Sequence, residues 1–210
     1  MRLFLARHGN TFSPEDNPYY VGKNIDLPLV LKGQQQAKDL GRVFLEKKIH
    51  FNQIYCNPLK RTKVFADIVR SESSQSVQVK EIPALNELSY GSWEGKTTPE
   101  VKTLHPKEFA LWEEQGVWPK NCDWEDDEKE VISEVLEFAK KFENLEGDFL
   151  CISSNGRLRY FLNLIQNLYI QMRNENKLKM KTGNLSMLSF ENNAWNLNFW
   201  NKSSAEYRET

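Results

Sequence analysis

Arg7 and His8 stand side by side at the end of an apolar run, Leu3-Phe4-Leu5-Ala6, and are followed by Gly9. A guanidinium presents a planar fork of donors that suits phosphate or carboxylate oxygens. An imidazole is a nucleophile or proton carrier near neutral pH. A glycine lets backbone approach a ligand closely or take positive φ. Three other stretches carry groups that complement this pair: Asn57 to Arg61, Glu87, and Ser154-Asn155-Gly156. Arginines neutralise a phosphoryl group and its transition-state charge, an imidazole attacks phosphorus, and a carboxyl group protonates a leaving alkoxide. The Asn155 amide is a further donor. Taken alone, Glu87 reads more readily as a solvated loop acid and Arg61 as a surface charge at a helix end. The scheme needs no metal or cofactor, and His50 and His105 have no ligand-like spacing with each other or with His8.

These groups converge only if the chain folds so that their strand ends share a face. Residues 2 to 6 read as a buried strand. A Pro-, Asn- and Tyr-bearing loop follows from Phe12 to Lys23, from which Tyr19 and Tyr20 either hang over a pocket or pack at the core edge. A helix is expected from about Lys32, with Ala37, Leu40, Phe44 and Leu45 on its apolar face. Asn52 to Cys56 is a second strand, and a helix burying Val64, Phe65, Ile68 and Val69 follows it. Val77 to Pro83 reads as a third strand. The segment from about 97 to 127 breaks the rhythm and reads as a short helical, aromatic insertion. Its Trp112 and Trp118 are candidates to cover the sheet end and, with Tyr19 and Tyr20, to form a substrate lid. A helix over about Glu125 to Leu145, a strand over Phe149 to Ser153, and a helix from Arg157 to about Met172 come next. The N-terminus of that last helix, at Gly156, would offer backbone N–H donors to an anion. Strands Leu185 to Phe190 and Trp195 to Trp200 are joined by a turn at Asn192-Asn193, and residues 201 to 210 read as a polar tail.

Alternating strands and helices imply one three-layer α/β/α domain over residues 1–210, with a mostly parallel sheet of about six strands and helices on both faces. Right-handed crossovers then gather the C-terminal strand ends. The length suits one such domain. Lysine and arginine number 28 and aspartate and glutamate 29, a net of −1, so no global charge draws the chain to nucleic acid or membrane. A basic segment followed by a long apolar stretch is missing at the N-terminus, and no apolar run spans a bilayer, so neither signal peptide nor membrane partner is expected. Cys56, Cys122 and Cys151 are widely spaced and odd in number, which argues against a disulfide framework and favours a reduced, cytoplasmic setting. Oligomeric state is not readable.

The blocks themselves resemble those of a known family. Arg7-His8-Gly9-Asn10-Thr11 is similar to the Arg-His-Gly-x-Thr signature of the histidine phosphatase superfamily, in its phosphoglycerate mutase-like branch. Asp26-Leu27-Pro28-Leu29 with Gly33 and Ala37, Asn57-Pro58-Leu59-Lys60-Arg61-Thr62, and Leu85 to Gly95 resemble later blocks of the family in the same order. The resemblance implies His8 as the phosphorylated nucleophile, Arg7 and Arg61 as phosphoryl ligands, and Glu87 as the proton donor. Thr11, Asn155 and Gly156 are further phosphate-binding candidates, and Glu94, which also matches its block, reads as a structural hydrogen-bonding residue. Two departures stand out. Relatives usually carry a second histidine where this chain has Asn155, which keeps a donor but loses a potential positive charge. Many also carry a Gly-Glu-Ser block where this chain has Lys120-Asn121-Cys122-Asp123-Trp124. The expected activity is metal-independent hydrolysis of small phosphate monoesters. A phosphate-binding protein with weakened or lost turnover, and a phosphoglycerate mutase, are the alternatives.

Overall fold

The computed structural model describes residues 1–210. In chain order the elements are β1 (Arg2–Arg7), α1 (Leu31–Glu46), β2 (Phe51–Cys56), α2 (Lys60–Glu72), β3 (Val79–Glu81), α3 (Thr98–Leu104), α4 (Pro106–Gln115), α5 (Glu128–Lys140), β4 (Asp148–Ser153), α6 (Asn155–Leu158), α7 (Leu168–Asn174), β5 (Leu185–Glu191), β6 (Ala194–Lys202) and α8 (Ser204–Arg208). Six strands form one sheet in the order β3-β2-β4-β1-β5-β6. The first four in that order are parallel, and β5 and β6 run antiparallel at one edge. This is the mostly parallel α/β architecture expected from the alternation of elements. No helix is long and apolar enough to cross a membrane.

Strand periodicity explains why the central strands are apolar on both sides. Leu3 and Leu5 of β1 and Cys151 of β4 pack against Val135, Phe138 and Ala139 of α5 on one face. Phe4, Ala6, Leu150 and Ile152 point the other way, into Leu40, Phe44 and Phe65 of α1 and α2 and Tyr207 of α8. A parallel sheet covered on both faces needs such near-continuous hydrophobic runs. The register then levels the strand ends. Arg7 pairs with Ser153, and Cys56 lies opposite Ile152, so the C-terminal ends of β1, β4 and β2 finish together. In open α/β sheets that edge is where ligands bind.

The structure departs from the expected elements at several places. The helix expected from Arg157 to Met172 is three pieces: α6, a 3₁₀ segment over Arg159–Leu164, and α7. Ile165 is extended and Asn167 is left-handed, with φ 62°. Asparagine tolerates that region, and the Asn163 amide bonds the Tyr160 carbonyl in competition with regular helix bonding. Residues 201 to 210 are not a plain tail. Ser203 and Glu206 form a reciprocal capping box that starts α8, and Tyr207 is buried against Phe4, Phe44 and Phe199. The third strand keeps only Val79–Glu81. Burial is also shifted: Val64 and Leu45 are exposed, while Ala66 and Val43 face the core. In α5 the buried side is Val131, Val135, Phe138 and Ala139, where helical spacing in the sequence suggests Ile132, Val135, Leu136 and Ala139. All three cysteines are free and buried, and burial pushes the Cys56 thiol up to about 12.

Candidate active site

A cavity of about 730 Å³ opens at the level end of β1, β4 and β2. Arg7, His8, Thr11, Arg61, Glu87 and Asn155 all line it. Its ionisable walls comprise five cations (Arg7, Lys32, Arg61, Arg159, Lys179) against three acids (Asp16, Glu87, Glu113). A chain of net charge −1 therefore presents a locally positive cavity.

His8 follows β1 directly and is 6% exposed. Its Nδ1 lies 2.8 Å from the carbonyl oxygen of Gly9. A carbonyl only accepts, so Nδ1 carries the proton and Nε2 is left with its lone pair. Burial, then the charges of Arg61 and Arg7, hold the imidazole well below its ordinary range. The ring is thus a neutral base with a bare nitrogen beside two arginines. The backbone next to it is clamped by helix α1. A Cβ on Gly9 would sit 2.4 Å from the Gly33 carbonyl oxygen, and one on Gly33 would sit 2.2 Å from that of Asn10. Gly9 therefore serves a close approach of helix backbone, where the sequence had suggested ligand or positive φ.

The two arginines are held from behind. Arg7 donates from Nη1 to the Met180 carbonyl at 2.5 Å, and its Nε–H has no protein partner. Arg61, in the first turn of α2, donates to the carbonyls of Ile25 (2.9 Å) and Gly22 (3.1 Å), and its Nε–H is likewise unpartnered. Burial lowers both guanidinium pKa values below their ordinary range, yet each starts high enough to stay charged near neutral pH. Orphan buried donors at a cavity wall mark a place for an anion. Asn57 does not reach the cavity. It is fully buried, donates to the Leu85 carbonyl and accepts from the Leu59 N–H, tying the end of β2 to the segment that carries Glu87.

Glu87 is 5% exposed. One carboxylate oxygen accepts the Leu88 N–H at 2.9 Å and the other accepts the Gly156 N–H at 3.4 Å. That N–H is turned to Glu87, and Gly156 is not on the cavity wall. A Cβ there would lie 2.3 Å from Glu87 Oε1 and 2.6 Å from the Tyr90 hydroxyl. Asn155 accepts the Met180 N–H with Oδ1 at 2.8 Å. Because that donor demands an acceptor, the amide NH₂ is the end left for the cavity. The Met180 peptide thus orients Arg7 through its carbonyl and Asn155 through its N–H.

The aromatic candidates divide. Tyr19, Tyr20 and Trp112 line the cavity. Tyr20 is tied down: its N–H bonds the Lys96 carbonyl, its carbonyl accepts the Gly95 N–H, and its hydroxyl donates to Glu113 at 2.8 Å. Trp118 lies off the wall, packed edge-on against Trp112 and Trp124. Glu94 accepts the Tyr90 N–H at 3.1 Å and so shapes the loop behind the site. His50 and His105 stand outside the cavity wall, and no three His, Cys, Asp or Glu side chains form a metal-ligating group. Arg159, Lys179 and Lys32 were not singled out from the sequence. The one available signal was the cationic type of Arg159 four residues after Asn155.

Known proteins share this arrangement of elements. An alpha-ribazole phosphatase from Shigella flexneri superposes with a TM-score of 0.75 at 23% identity, covering 96% of each chain. The adenosylcobalamin/alpha-ribazole phosphatase of Escherichia coli (strain K12) is 30% identical over 112 residues, 53% of this chain and 52% of that protein. The 2,3-bisphosphoglycerate-dependent phosphoglycerate mutase of Streptococcus sanguinis (strain SK36) is 32% identical over 130 residues, 60% of this chain and 56% of that protein. The chain thus spans about half the length of the curated relatives it matches, and those relatives include phosphatases and mutases alike. The sequence pattern of the histidine phosphatase superfamily (branch 1) matches over residues 3–203, and the chain belongs to that family.

Proposed function

We propose that the chain hydrolyses small phosphate monoesters, without a metal ion, through a phosphohistidine on His8. The observation that carries this reading is the Gly9 carbonyl on Nδ1, which leaves Nε2 bare beside Arg7 and Arg61, each with a buried, unpartnered Nε–H. Nε2 attacks phosphorus in line. The Nε2–P bond forms, the bond from phosphorus to the leaving oxygen breaks, and the Glu87 carboxyl proton passes to that oxygen. A water then attacks the phosphoenzyme, its proton returns to Glu87, and the N–P bond breaks to release inorganic phosphate. Arg7, Arg61 and the Asn155 amide hold the equatorial oxygens, where transition-state charge accumulates.

Asn155 supplies a donor without a charge, so turnover is slow but present. A binding protein without turnover is the second reading, motivated by that same residue. The mutase reading shares the first half-reaction and passes the phosphoryl group to a second substrate oxygen. The test is a panel of metabolite phosphates with chelator present, following inorganic phosphate. Release that is chelator-insensitive and lost in His8→Ala supports hydrolysis. Phosphate binding with no release across the panel supports the binder, and isomerised ester without free phosphate supports the mutase.

A further inference from the structure

The cavity contains a buried cation that the phosphoryl chemistry above does not use. Arg159 begins the 3₁₀ segment after α6, is 6% exposed, and lines the cavity. Its guanidinium lies 4.1 Å from the ring centroid of Trp112 on α4. Its Nε–H has no hydrogen-bond partner, and it joins none of the chain's ion pairs. Arg157, two residues earlier and equally buried, is the internal contrast. It donates to the Asn86 carbonyl and to Glu134, both at 2.7 Å. One arginine is thus satisfied by the fold, and the other is left with a free fork. An uncompensated buried charge is costly, and such groups in native structures call for a partner.

The position of Arg159 separates it from the floor of the site. It also lines an adjoining crevice of about 280 Å³, together with Trp112, Glu113, Arg173 and Lys179. Neither Arg7, His8 nor Arg61 reaches that crevice. Lys179 is engaged by Glu113 at 3.5 Å, and Glu113 also accepts the Tyr20 hydroxyl. The free cation at the junction of the two spaces is Arg159. Trp112 lies under the guanidinium and the Arg159 Nε–H is left unpartnered, so the fork is available to take an oxyanion by two hydrogen bonds, as arginine does with carboxylate and phosphate.

We propose that Arg159, stacked on Trp112, is a second anion-binding position, and that the preferred substrate is a phosphate monoester carrying a further carboxylate or phosphate group. This rests on the phosphatase reading for turnover, but the binding it describes does not require it. The experiment compares three small esters of similar size: one with an added carboxylate, one with a second phosphate, and one whose only anion is the reacting phosphate. Wild type should favour one or both of the doubly anionic esters in kcat/KM over the singly anionic one. Arg159→Gln should lower that preference by about 10- to 100-fold, the range for losing a charged hydrogen-bond partner. Arg159→Lys, which keeps charge but not the fork, should recover part of it. The carboxylate and phosphate arms show which group Arg159 takes. A preference unchanged in Arg159→Gln overturns the proposal, and so does an equal loss on all three esters, which would place Arg159 at the reacting phosphate or in folding. If no ester turns over, the phosphatase reading fails, and the same esters are ranked by binding through thermal shift and tryptophan fluorescence. Tighter binding of a doubly anionic ester that is lost in Arg159→Gln still supports the second position. Equal binding of all three esters by wild type overturns it.

Discussion

Asn155 separates two jobs that one amide performs, and substitutions can divide them. Its Oδ1 accepts the Met180 N–H at 2.8 Å, and the Met180 carbonyl in turn holds Arg7. Its NH₂ is the donor proposed for the transferring phosphoryl group. Removing one preorganised transition-state donor costs about 10²–10³ in turnover, or about 2.7–4 kcal/mol. Leaving a buried N–H without its acceptor costs roughly 1–3 kcal/mol of stability. Met180 is fully buried, so about 1 kcal/mol is the least that loss should cost. About 1 kcal/mol corresponds to roughly 2–4 °C in Tm for a chain of this size. Asn155→Ala should therefore lose both, falling about 10²-fold or more in kcat/KM and a few degrees in Tm. Asn155→Asp keeps an acceptor for Met180 and should keep its Tm. It loses the donor and sets a negative charge against an anionic substrate, so kcat/KM should fall at least as far as in Asn155→Ala. Asn155→His should retain activity and gain at mildly acidic pH, where an imidazole becomes charged; the charged ring no longer accepts the Met180 N–H, so its Tm should fall there. The assay is kcat/KM on one ester beside thermal melts of all four proteins. An Asn155→Asp variant within about threefold of wild type would remove Asn155 from the phosphate ligands.

Three other outcomes follow from the same geometry. Glu87→Gln should cost about 10²–10⁴-fold on an alkyl phosphate and much less on an aryl phosphate whose leaving group needs no proton; equal losses on both esters would exclude Glu87 as the acid. Gly156→Ala places a Cβ 2.3 Å from Glu87 Oε1, so it should displace that carboxylate and lower activity while circular dichroism stays unchanged; full activity would show that the loop yields freely. The His8 ring should stay neutral, by side-chain NMR, at pH values below the ordinary histidine value of 6.5. The unfolded chain then binds the extra proton first, so stability rises with pH up to about 6.5 and falls away on acidification below it. His8→Asn should flatten that dependence, and an unchanged slope would show that another group sets it.

Arg7, His8, Arg61, Glu87 and Asn155 could be collected from the sequence because each ends a strand or comes soon after one. Strand order and right-handed crossovers then bring those ends together whatever fills the faces. What the sequence hid depends on which way a side chain turns. Arg157 and Arg159 are the same residue type two positions apart, and only the short 3₁₀ segment after α6 decides that one is paired with Glu134 and the other faces the cavity. The break in that helix comes from Asn163 and Asn167, whose side-chain and left-handed options compete with helix without forbidding it. Trp112 and Trp118 look alike in an aromatic insertion, yet only Trp112 reaches the wall. Gly156 opens a helix, but its N–H is spent on Glu87 because backbone and carboxylate approach too closely for any side chain to intervene. The segment from 201 to 210 reads as a polar tail because it has little apolar content, which conceals both the Ser203–Glu206 capping box and the burial of Tyr207.

The phosphoenzyme on His8 is the centre of the account, and rapid quench tests it most directly. The protein is mixed with a reactive phosphate ester, stopped within milliseconds under conditions that preserve phosphohistidine, and mapped by mass spectrometry. An acid-labile phosphate should appear on His8 alone, absent from His8→Ala and retained in His50→Ala and His105→Ala. Label that persists in His8→Ala, or turnover with no label on His8 at any time point, would contradict it.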